Sequence, residues 1–261
     1  MARFLPLFSS SSANCCFVGT GNNGILVDAG ASGKQIITAL AEKGIEPQNI
    51  KAIFVTHEHS DHIKGLSAVI RKTKAPVIAS ADTLAAIEKY CKLPSDAVLT
   101  EINGQMVFED FAVNRFETSH DCVGSSGYSF NLADDTKISV CTDLGVVTNG
   151  VRDALLGSNL VYIESNHDIK MLKSGPYPPE LKLRILSDKG HLSNISCSAE
   201  LPALLKSGTT RFVLAHLSQQ NNLPKLAESA AVASLGDIGA ARNTDYILSA
   251  AKVSGGDWFC L

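Results

Sequence analysis

The stretch Thr56–His62 reads T-H-E-H-S-D-H and holds three of the seven histidines of the chain, together with an aspartate. The preceding run Ile50–Val55 is apolar and rich in β-branched and aromatic residues, which predicts a buried strand. After the motif, Ile63, Leu66 and Ile70 recur at helical spacing and predict a helix. The motif is therefore expected on a loop between a strand and a helix.

Imidazole and carboxylate groups at such spacing are typical metal ligands. His57 and His59 are two residues apart, so they point the same way from an extended backbone. Asp61 and His62 stand at the predicted start of the helix and can face a neighbouring point. A polar surface loop has no need to crowd four such groups together. The motif therefore predicts a metal centre, and one short loop can serve two metal ions.

Length and composition indicate an ordinary globular protein. The chain has 261 residues, of which 45% are hydrophobic and 19% charged, and we expect one domain over residues 1–261. The net charge of −3 gives no overall basic field, so a nucleic-acid partner would need a local basic patch. The seven cysteines show no C-x-x-C pair and are expected to be reduced, mostly in the core.

Nothing near the N-terminus is typical of a targeting segment. The apolar run Phe4–Phe8 is too short for the core of a signal peptide, and no run approaches the ~18 residues of a membrane span. We therefore expect a cytoplasmic protein without a membrane partner.

Strand-like and helical segments alternate along the chain without a linker, which favours one α/β domain of two sheets between helical layers. Val98–Thr118 alternates like two antiparallel strands around the turn dipeptide Asn103-Gly104. Residues 170–190 are predicted to be irregular, since Gly175–Pro179 contains a glycine and three prolines.

All seven histidines stand where predicted strands end or in turns. They are His57, His59, His62, His120, His167, His191 and His216. One buried structural histidine would need no further explanation, but seven in the same context indicate a shared site. Asp143 also follows a predicted strand, and the sequence therefore adds a carboxylate to the candidate ligands.

The pattern H-x-H-x-D-H after an apolar strand resembles the signature of the metallo-β-lactamase superfamily. This resemblance implies a four-layer αβ/βα sandwich with two divalent metal ions. It assigns His57, His59 and His120 to the first ion and Asp61, His62 and His216 to the second, with Asp143 as the bridge. Such a mixed nitrogen and oxygen set suits zinc, and Mn²⁺ or Fe would also accept it.

Asp28 matches the first motif of the superfamily, where a carboxylate braces the histidine loop through hydrogen bonds. A turn-forming aspartate before Ala29-Gly30 explains the residue nearly as well. Both readings stay open on the sequence alone.

Within the superfamily, the chain is most similar to the YycJ-like (WalJ) subfamily of nuclease-type metallohydrolases, which are regarded as bacterial DNA exonucleases. The similarity covers nearly the whole chain. It is carried by Thr56–His62 and by the segments Ser9–Asn14, Glu164–Asp168, Gly190–Asn194 and His216–Asn222. Ala13 departs from the glycine usual in that pattern and would strain the loop if a positive φ were needed. A flexible turn is an equally good reading of Ser9–Ser12.

The resemblance implies a dinuclear metal-dependent phosphodiesterase, and in particular a DNA exonuclease, in which a hydroxide bridging the two metals attacks phosphorus. His191 would be the general acid, Glu164 would back it, and Asp61 would belong to the catalytic set as well as to the ligands. His167 is expected to be structural or to stand behind the ligands. The substrate is expected to be nucleic acid, with DNA favoured over RNA.

The segment Ile169–Gly190 has five basic and two acidic residues and lies between two of these motifs. It is a candidate nucleic-acid contact, although a solvated charged loop fits it equally well.

Two other functions remain open on the sequence. One is a thioester or lactone hydrolase of the glyoxalase or lactonase kind, which would have a small closed pocket and a helical appendage that binds substrate. The other is a non-catalytic metal-binding scaffold, which would tolerate the loss of ligands.

Overall fold

The computed structural model describes residues 1–109 and 111–261. The first part of the chain supplies six strands and four helices. They are β1 (Ala2–Ser10), β2 (Ala13–Thr20), β3 (Asn23–Val27), α1 (Gly33–Glu42), β4 (Ile50–Phe54), α2 (Ser60–Ile63), α3 (Leu66–Thr73), β5 (Val77–Ala79), α4 (Ala81–Tyr90) and β6 (Leu99–Glu101).

The remainder supplies eight further strands and five helices within the described residues. They are β7 (Gln105–Phe108), β8 (Phe111–Glu117), β9 (Ser126–Asn131), β10 (Lys137–Cys141), α5 (Asn149–Leu155), β11 (Leu160–Glu164), α6 (Ile169–Ser174), α7 (Pro179–Ile185), α8 (Asn194–Lys206), β12 (Arg211–Ala215), α9 (Pro224–Gly236), β13 (Ile247–Ala250) and β14 (Phe259–Cys260).

These strands form two mixed sheets of seven strands each, of the same design. The first has the order β14-β1-β2-β3-β4-β5-β6 and the second the order β13-β12-β11-β10-β9-β8-β7. In each sheet an antiparallel meander leads into parallel strands, β3 to β6 in the first and β10 to β13 in the second. The parallel strands are connected through helices, as βαβ units require.

Aromatic side chains fill the space between the two sheets. Phe54 of β4 packs against Tyr128 and Phe130 of β9, with ring centroids 5.3 and 5.4 Å apart. All three side chains are fully buried, and burying each stabilises the fold by about 1.5–3 kcal/mol. This contact fixes the strand before the histidine motif against the second sheet.

Helices cover the outer faces of both sheets. Ile36 of α1 and Val69 of α3 belong to the core on one side, and Leu201 of α8 and Ala231 of α9 to the core on the other. The layers are therefore helix, sheet, sheet and helix, which confirms the predicted four-layer αβ/βα sandwich.

Two sequence predictions about elements were wrong. The turn at Asn103-Gly104 does not join the two strands of a hairpin: β6 before it lies in the first sheet and β7 after it in the second. The hairpin is β7–β8, with Phe108 opposite Phe111; Asp110, inside the predicted segment, lies outside the described residues. Residues 170–190 hold the short helices α6 and α7 instead of an irregular loop.

All seven cysteines are free, and Cys15, Cys16, Cys141 and Cys197 are buried, in line with the prediction of reduced core residues. Among the described residues, no helix is both long and apolar enough to span a membrane.

Candidate metal centre

The candidate ligands follow the carboxyl ends of strands from both sheets. The motif residues follow β4, His120 follows β8, Asp143 follows β10 and His216 follows β12. Glu164 is the last residue of β11. The ends of these strands meet at one edge of the sandwich, and loops from different parts of the chain converge there.

Three of the residues at this edge have a left-handed backbone, which side chains other than glycine rarely adopt. The φ angle is 63° at Asp28, 58° at Asp143 and 53° at His216. Asp28 and His216 come directly after a strand, and Asp143 comes after Thr142, the residue that follows β10. Such strain is tolerated where the surrounding structure holds the residue in place.

His57, His59 and His120 form the first group of converging ligand atoms. The nitrogen atoms that each ring offers lie within 4.8 Å of one another. His57 Nε2 is 3.0 Å from His59 Nδ1. His120 Nδ1 lies 3.1 Å from the carbonyl oxygen of Gly190, to which it can donate, and this leaves Nε2 free to act as a ligand.

Asp61, His62 and His216 form the second group. Asp61 Oδ2 lies 3.4 Å from His62 Nε2 and 3.7 Å from His216 Nε2. Asn14 Nδ2 is 3.0 Å from His62 Nε2 and 3.3 Å from Asp61 Oδ2. One amide side chain therefore contacts two members of the group and orients both the carboxylate and the ring.

Asp143 stands between the two groups. Its Oδ2 is 3.2 Å from His62 Nε2, and its Oδ1 is 3.9 Å from His120 Nε2 and 3.2 Å from His216 Nδ1. The side chain is only 2% exposed. A buried carboxylate in contact with ligands of both groups has the position that a bridging ligand requires.

Asp28 braces the motif from behind. Its Oδ1 accepts a hydrogen bond from Thr56 N at 2.8 Å, and its Oδ2 lies 2.8 Å from His62 Nδ1. The bond to His62 Nδ1 directs the other ring nitrogen toward Asp61 and Asp143. The structure therefore supports both readings of Asp28, since the same residue turns the chain and holds the motif.

The turn after β3 needs a glycine at position 30. A Cβ atom at this position would lie 1.6 Å from the carbonyl oxygen of Asp61. The neighbouring Ala29 N donates to the carbonyl oxygen of His62 at 2.7 Å. The backbone after β3 therefore packs directly on the helical part of the motif and sets its position.

Several ligand-type atoms are buried without a hydrogen-bond partner among the described residues. They include His120 Nε2, His216 Nε2 and Asp143 Oδ2. Leaving a buried polar group unsatisfied costs about 1–3 kcal/mol, so such groups are rare without a reason. All three atoms belong to residues of the converging groups. The donor set and its orphaned atoms fit divalent metal ions.

The pKa values of the histidines shift in opposite directions in the two groups. Burial lowers the pKa of His57 and of His120, which favours neutral rings. Burial also opposes the charged form of His62 and of His216, but the surrounding carboxylates, Asp143 foremost, together outweigh it and raise the pKa of both, that of His216 to about 10. The pKa of Asp143 is correspondingly held well below its usual range, because the effect of these two histidines exceeds the opposing effect of burial.

His191 and Glu164 lie beside these two groups and, with Asp143 and His216, form a further group of converging ligand-type atoms. His191 Nδ1 lies 2.9 Å from Glu164 Oε1, and the same oxygen is 2.8 Å from His216 Nδ1. Glu164 Oε2 accepts from Leu192 N at 3.0 Å and from Leu144 N at 3.1 Å. Burial disfavours the carboxylate, but His191 and the other donors outweigh it and lower the pKa of Glu164 to about 2.

His167 does not join this cluster. Its side chain is buried, and neither ring nitrogen has a hydrogen-bond partner among the described residues. Burial lowers its pKa to about 4, so the ring is neutral near pH 7. It is absent from each group of candidate ligands that the described residues form.

A cavity of about 190 Å³ opens over the ligands, and residues that sequence reasoning missed line it. Tyr177 precedes α7, and Leu181, Arg184 and Ile185 of α7 form part of its wall. Arg184 forms a bidentate ion pair with Asp121, next to His120, and this pair ties α7 to the loop after β8. The two residues are 63 positions apart. The sequence placed Arg184 in the basic segment Ile169–Gly190 but did not indicate its pairing with Asp121.

The serine stretch is part of a hairpin. Ser10 pairs with Ala13 across the turn between β1 and β2, and Ser11 lines the cavity. Ala13 begins β2 and is not among the residues with positive φ. The alanine therefore causes no strain of the kind considered for this loop.

Comparison with known proteins places the chain in a family. Residues 11–100 match the family model described as the metallo-beta-lactamase superfamily. The exodeoxyribonuclease YycJ of Bacillus anthracis is 37% identical over 227 residues, which cover 86% of each protein. The exodeoxyribonuclease WalJ of Streptococcus pneumoniae is 37% identical over 229 residues, which cover 86% of this chain and 85% of the relative.

Solved structures agree on the fold. The metallo-beta-lactamase fold protein YhfI of Bacillus subtilis superimposes with a TM-score of 0.71 at 13% identity and covers 99% of both chains. The chain thus belongs to the metallo-β-lactamase superfamily and, within it, to the family of YycJ and WalJ.

Proposed function

We propose that this protein is a dinuclear metal-dependent exonuclease that acts on DNA. The observation that carries the proposal is the arrangement of two ligand groups around Asp143, with the His191–Glu164 pair beside them. The relatives that cover most of the chain are exodeoxyribonucleases.

In this proposal His57, His59 and His120 hold one ion, Asp61, His62 and His216 hold the other, and Asp143 contacts both. Zinc suits these ligands, and Mn²⁺ or Fe would also be accepted. When bound, such ions supply Lewis-acid stabilisation and an activated water for the displacement at phosphorus.

The protein's own contribution is the supply and placement of a proton. The Glu164 carboxylate accepts a hydrogen bond from His191 Nδ1 and fixes the orientation of the ring. The other nitrogen, Nε2, is then the donor for the oxygen that leaves phosphorus. His191 is 14% exposed and lines the cavity, so its ring can reach a substrate.

The shape of the cavity supports attack at a chain end. Tyr177 and helix α7 wall off one side of the cavity, whose volume is about 190 Å³. A cavity that is closed on one side favours a strand that enters by its end over a strand that passes through. The chain after His216 forms α9, β13 and β14, so the described residues there add no helical appendage of the kind expected for a thioester or lactone hydrolase.

The test is hydrolysis by the purified protein, loaded in turn with Zn²⁺, Mn²⁺ or Fe²⁺. Single-stranded DNA, RNA, a thioester and a lactone serve as substrates. We expect mononucleotides to accumulate from DNA from the first turnovers. Turnover of the thioester or the lactone with neither nucleic acid cleaved would contradict the proposal.

A further inference from the structure

An open groove of about 440 Å³ begins at the motif loop and continues past α3 to the end of α4. Glu58 and Ser60 line its start and alternate with the candidate ligands His57, His59 and Asp61. In the sequence, the groove therefore begins one residue from the candidate ligands. None of its lining residues lines the cavity that holds His191.

The groove is basic although the whole chain is acidic. Between Ile63 and Lys92 the chain has six basic and two acidic residues, against a net charge of −3 overall. Lys64, Arg71 and Lys92 line the groove and are exposed. None of these three makes an ion pair within the described residues, whereas nearby Lys74 pairs with Asp96 at 2.8 Å.

One acidic residue, Glu58, also lines the groove. Its Oε1 accepts a hydrogen bond from Val123 N at 3.3 Å, which holds the carboxylate against the loop after β8. The three cations thus exceed the acidic charge of the lining, and the groove complements a polyanion.

Helix geometry aligns the cations. Lys64, Ser67 and Arg71 are spaced by three and four residues, and Lys64 and Gly65 between α2 and α3 have right-handed helical backbones. The three side chains therefore share one face, and the helical rise from Lys64 to Arg71 is about 10 Å. Ser67 Oγ donates to the carbonyl oxygen of Lys92 at 2.6 Å and ties the two walls together.

The exposed aromatic ring of Tyr90 lines the groove at the end of α4. Tyr90 is 66% exposed, and Lys89 Nζ lies 5.0 Å from its ring centroid. An exposed ring beside cations is a platform on which an unpaired base can stack, whereas a duplex keeps the faces of its bases covered.

We propose that this groove binds the single-stranded DNA that leads into the metal centre. Lys64, Arg71 and Lys92 contact the phosphates, and Tyr90 stacks on a base. The proposal rests on the proposed nuclease function and assigns it a path for the strand beyond the cleaved nucleotide.

The test compares long and short substrates of the metal-loaded protein. The double variant Lys64→Glu/Arg71→Glu is expected to raise KM for a single strand of about 12 nucleotides by about tenfold or more at about 50 mM salt. The log–log salt dependence of kcat/KM should flatten by about 0.7 for each phosphate that the variant no longer binds. Hydrolysis of a dinucleotide and of bis(p-nitrophenyl) phosphate should remain within about twofold of the wild-type rate, because neither reaches the groove.

Tyr90 is tested separately. Tyr90→Ala should raise KM for the long strand by about fivefold or more, because stacking on an aromatic side chain is worth about 1–3 kcal/mol per base. Tyr90→Phe keeps the ring and should behave like the wild type. The matched control for charge is Lys206→Glu/Lys225→Glu, two exposed lysines on α8 and α9 whose reversal changes the net charge equally.

If Lys64→Glu/Arg71→Glu has the same KM and salt dependence as the control Lys206→Glu/Lys225→Glu, the groove does not bind the strand. The proposed function would then still stand. Equal impairment on the dinucleotide would mean that the variant disturbs the metal loop, and this too would overturn the proposal. Equal weakening toward duplex and single strand would overturn the single-strand assignment. Wild-type protein that cleaves no DNA would instead defeat the proposed function itself.

Discussion

His191 belongs to neither of the two ligand groups assigned to the ions, although its ring also converges with Asp143 and His216, and its bond to Glu164 positions it as a proton donor. We expect His191→Ala to keep its fold and both metal ions while turnover of DNA falls by about 10²–10⁴, the usual loss for a general acid. Metal content and kcat measured on the same preparation test this prediction. Loss of a metal ion from this variant would make His191 a ligand and the assigned role wrong.

Glu164→Gln tests the partner of His191 in the same way. It keeps the shape of the side chain but removes the negative charge that accepts the hydrogen bond from His191 Nδ1. We expect a drop in kcat with a smaller effect on KM, since the residue acts through His191 and through the candidate ligand His216 and does not touch substrate. A KM effect with unchanged kcat would contradict a role in positioning the acid.

His167 gives a prediction for stability. Its pKa falls from the usual value near 6.5 to about 4 on folding, because burial opposes the charged ring. The unfolded chain therefore binds the proton first, and stability is lost as the pH falls from about 6.5 to about 4. The loss amounts to about 3 kcal/mol.

His167→Gln cannot titrate and should lose less stability over this range of pH. Urea unfolding of both metal-free proteins at a series of pH values measures the difference. If the free energies of unfolding of the wild type and of His167→Gln changed in parallel with pH, His167 would not be a buried neutral group.

At the residue scale, the spacing within Thr56–His62 predicted that its histidines and Asp61 face common points, whereas His120, Asp143 and His216 were assigned to the same site through the resemblance to the superfamily. The sequence could not predict the left-handed backbones of Asp143 and His216, since neither is a residue type that demands one. Nor could it predict the pairing of Arg184 with Asp121, which depends on how α7 packs on a distant loop.

Among the elements, α7 forms part of the wall of the cavity, and α6 contacts α7. Lys182 Nζ donates to the carbonyl oxygen of Lys173, and Arg184 pairs with Asp121, so both cations also hold this segment together. Exposed ion pairs of this kind contribute about 0.2–1 kcal/mol, and the fold should survive their removal.

We expect Lys182→Glu/Arg184→Glu to weaken DNA binding and to flatten its dependence on salt, while hydrolysis of a small phosphodiester is retained. Asp121→Asn is the control, since it loosens the ion pair but leaves both cations. Unchanged affinity and slope in the double variant would remove this segment from the path of the substrate.

The sequence missed these helices because each is too short to show a period, with six residues in α6 and seven in α7. Their local signals are an N-cap at Asp168, whose Oδ1 accepts from Met171 N at 2.8 Å, and the proline at the start of α7.

The Asn103-Gly104 turn shows a different limit. Gly104 does adopt a positive φ of 82°, as such a turn requires, but the strands on either side belong to different sheets. Turn chemistry reports the local bend of the chain and not the partner of the next strand.

At the scale of the whole molecule, two similar sheets place their strand ends at one edge, and each sheet contributes part of the ligand set. The motif comes from the first sheet, whereas His120, Asp143 and His216 come from the second. The alternation of strands and helices in the sequence predicted this architecture. The closeness of the two ligand groups depends on packing between the sheets, which no local pattern of residues reports.

Asp143 lies close to histidines of both groups. Asp143→Ala should lower the occupancy of both ions, whereas His59→Ala should affect chiefly the first and Asp61→Ala chiefly the second. Native mass spectrometry of each variant after metal saturation distinguishes these outcomes. Full occupancy in Asp143→Ala would show that the two ions are held independently.

The central claim is that two metal ions together support cleavage of DNA. It is tested most directly by adding Zn²⁺ or Mn²⁺ stepwise to the metal-free protein while the release of nucleotides from single-stranded DNA is followed. We predict that activity reaches its plateau at two equivalents of metal. A plateau at one equivalent, or cleavage by the metal-free protein, would contradict the account.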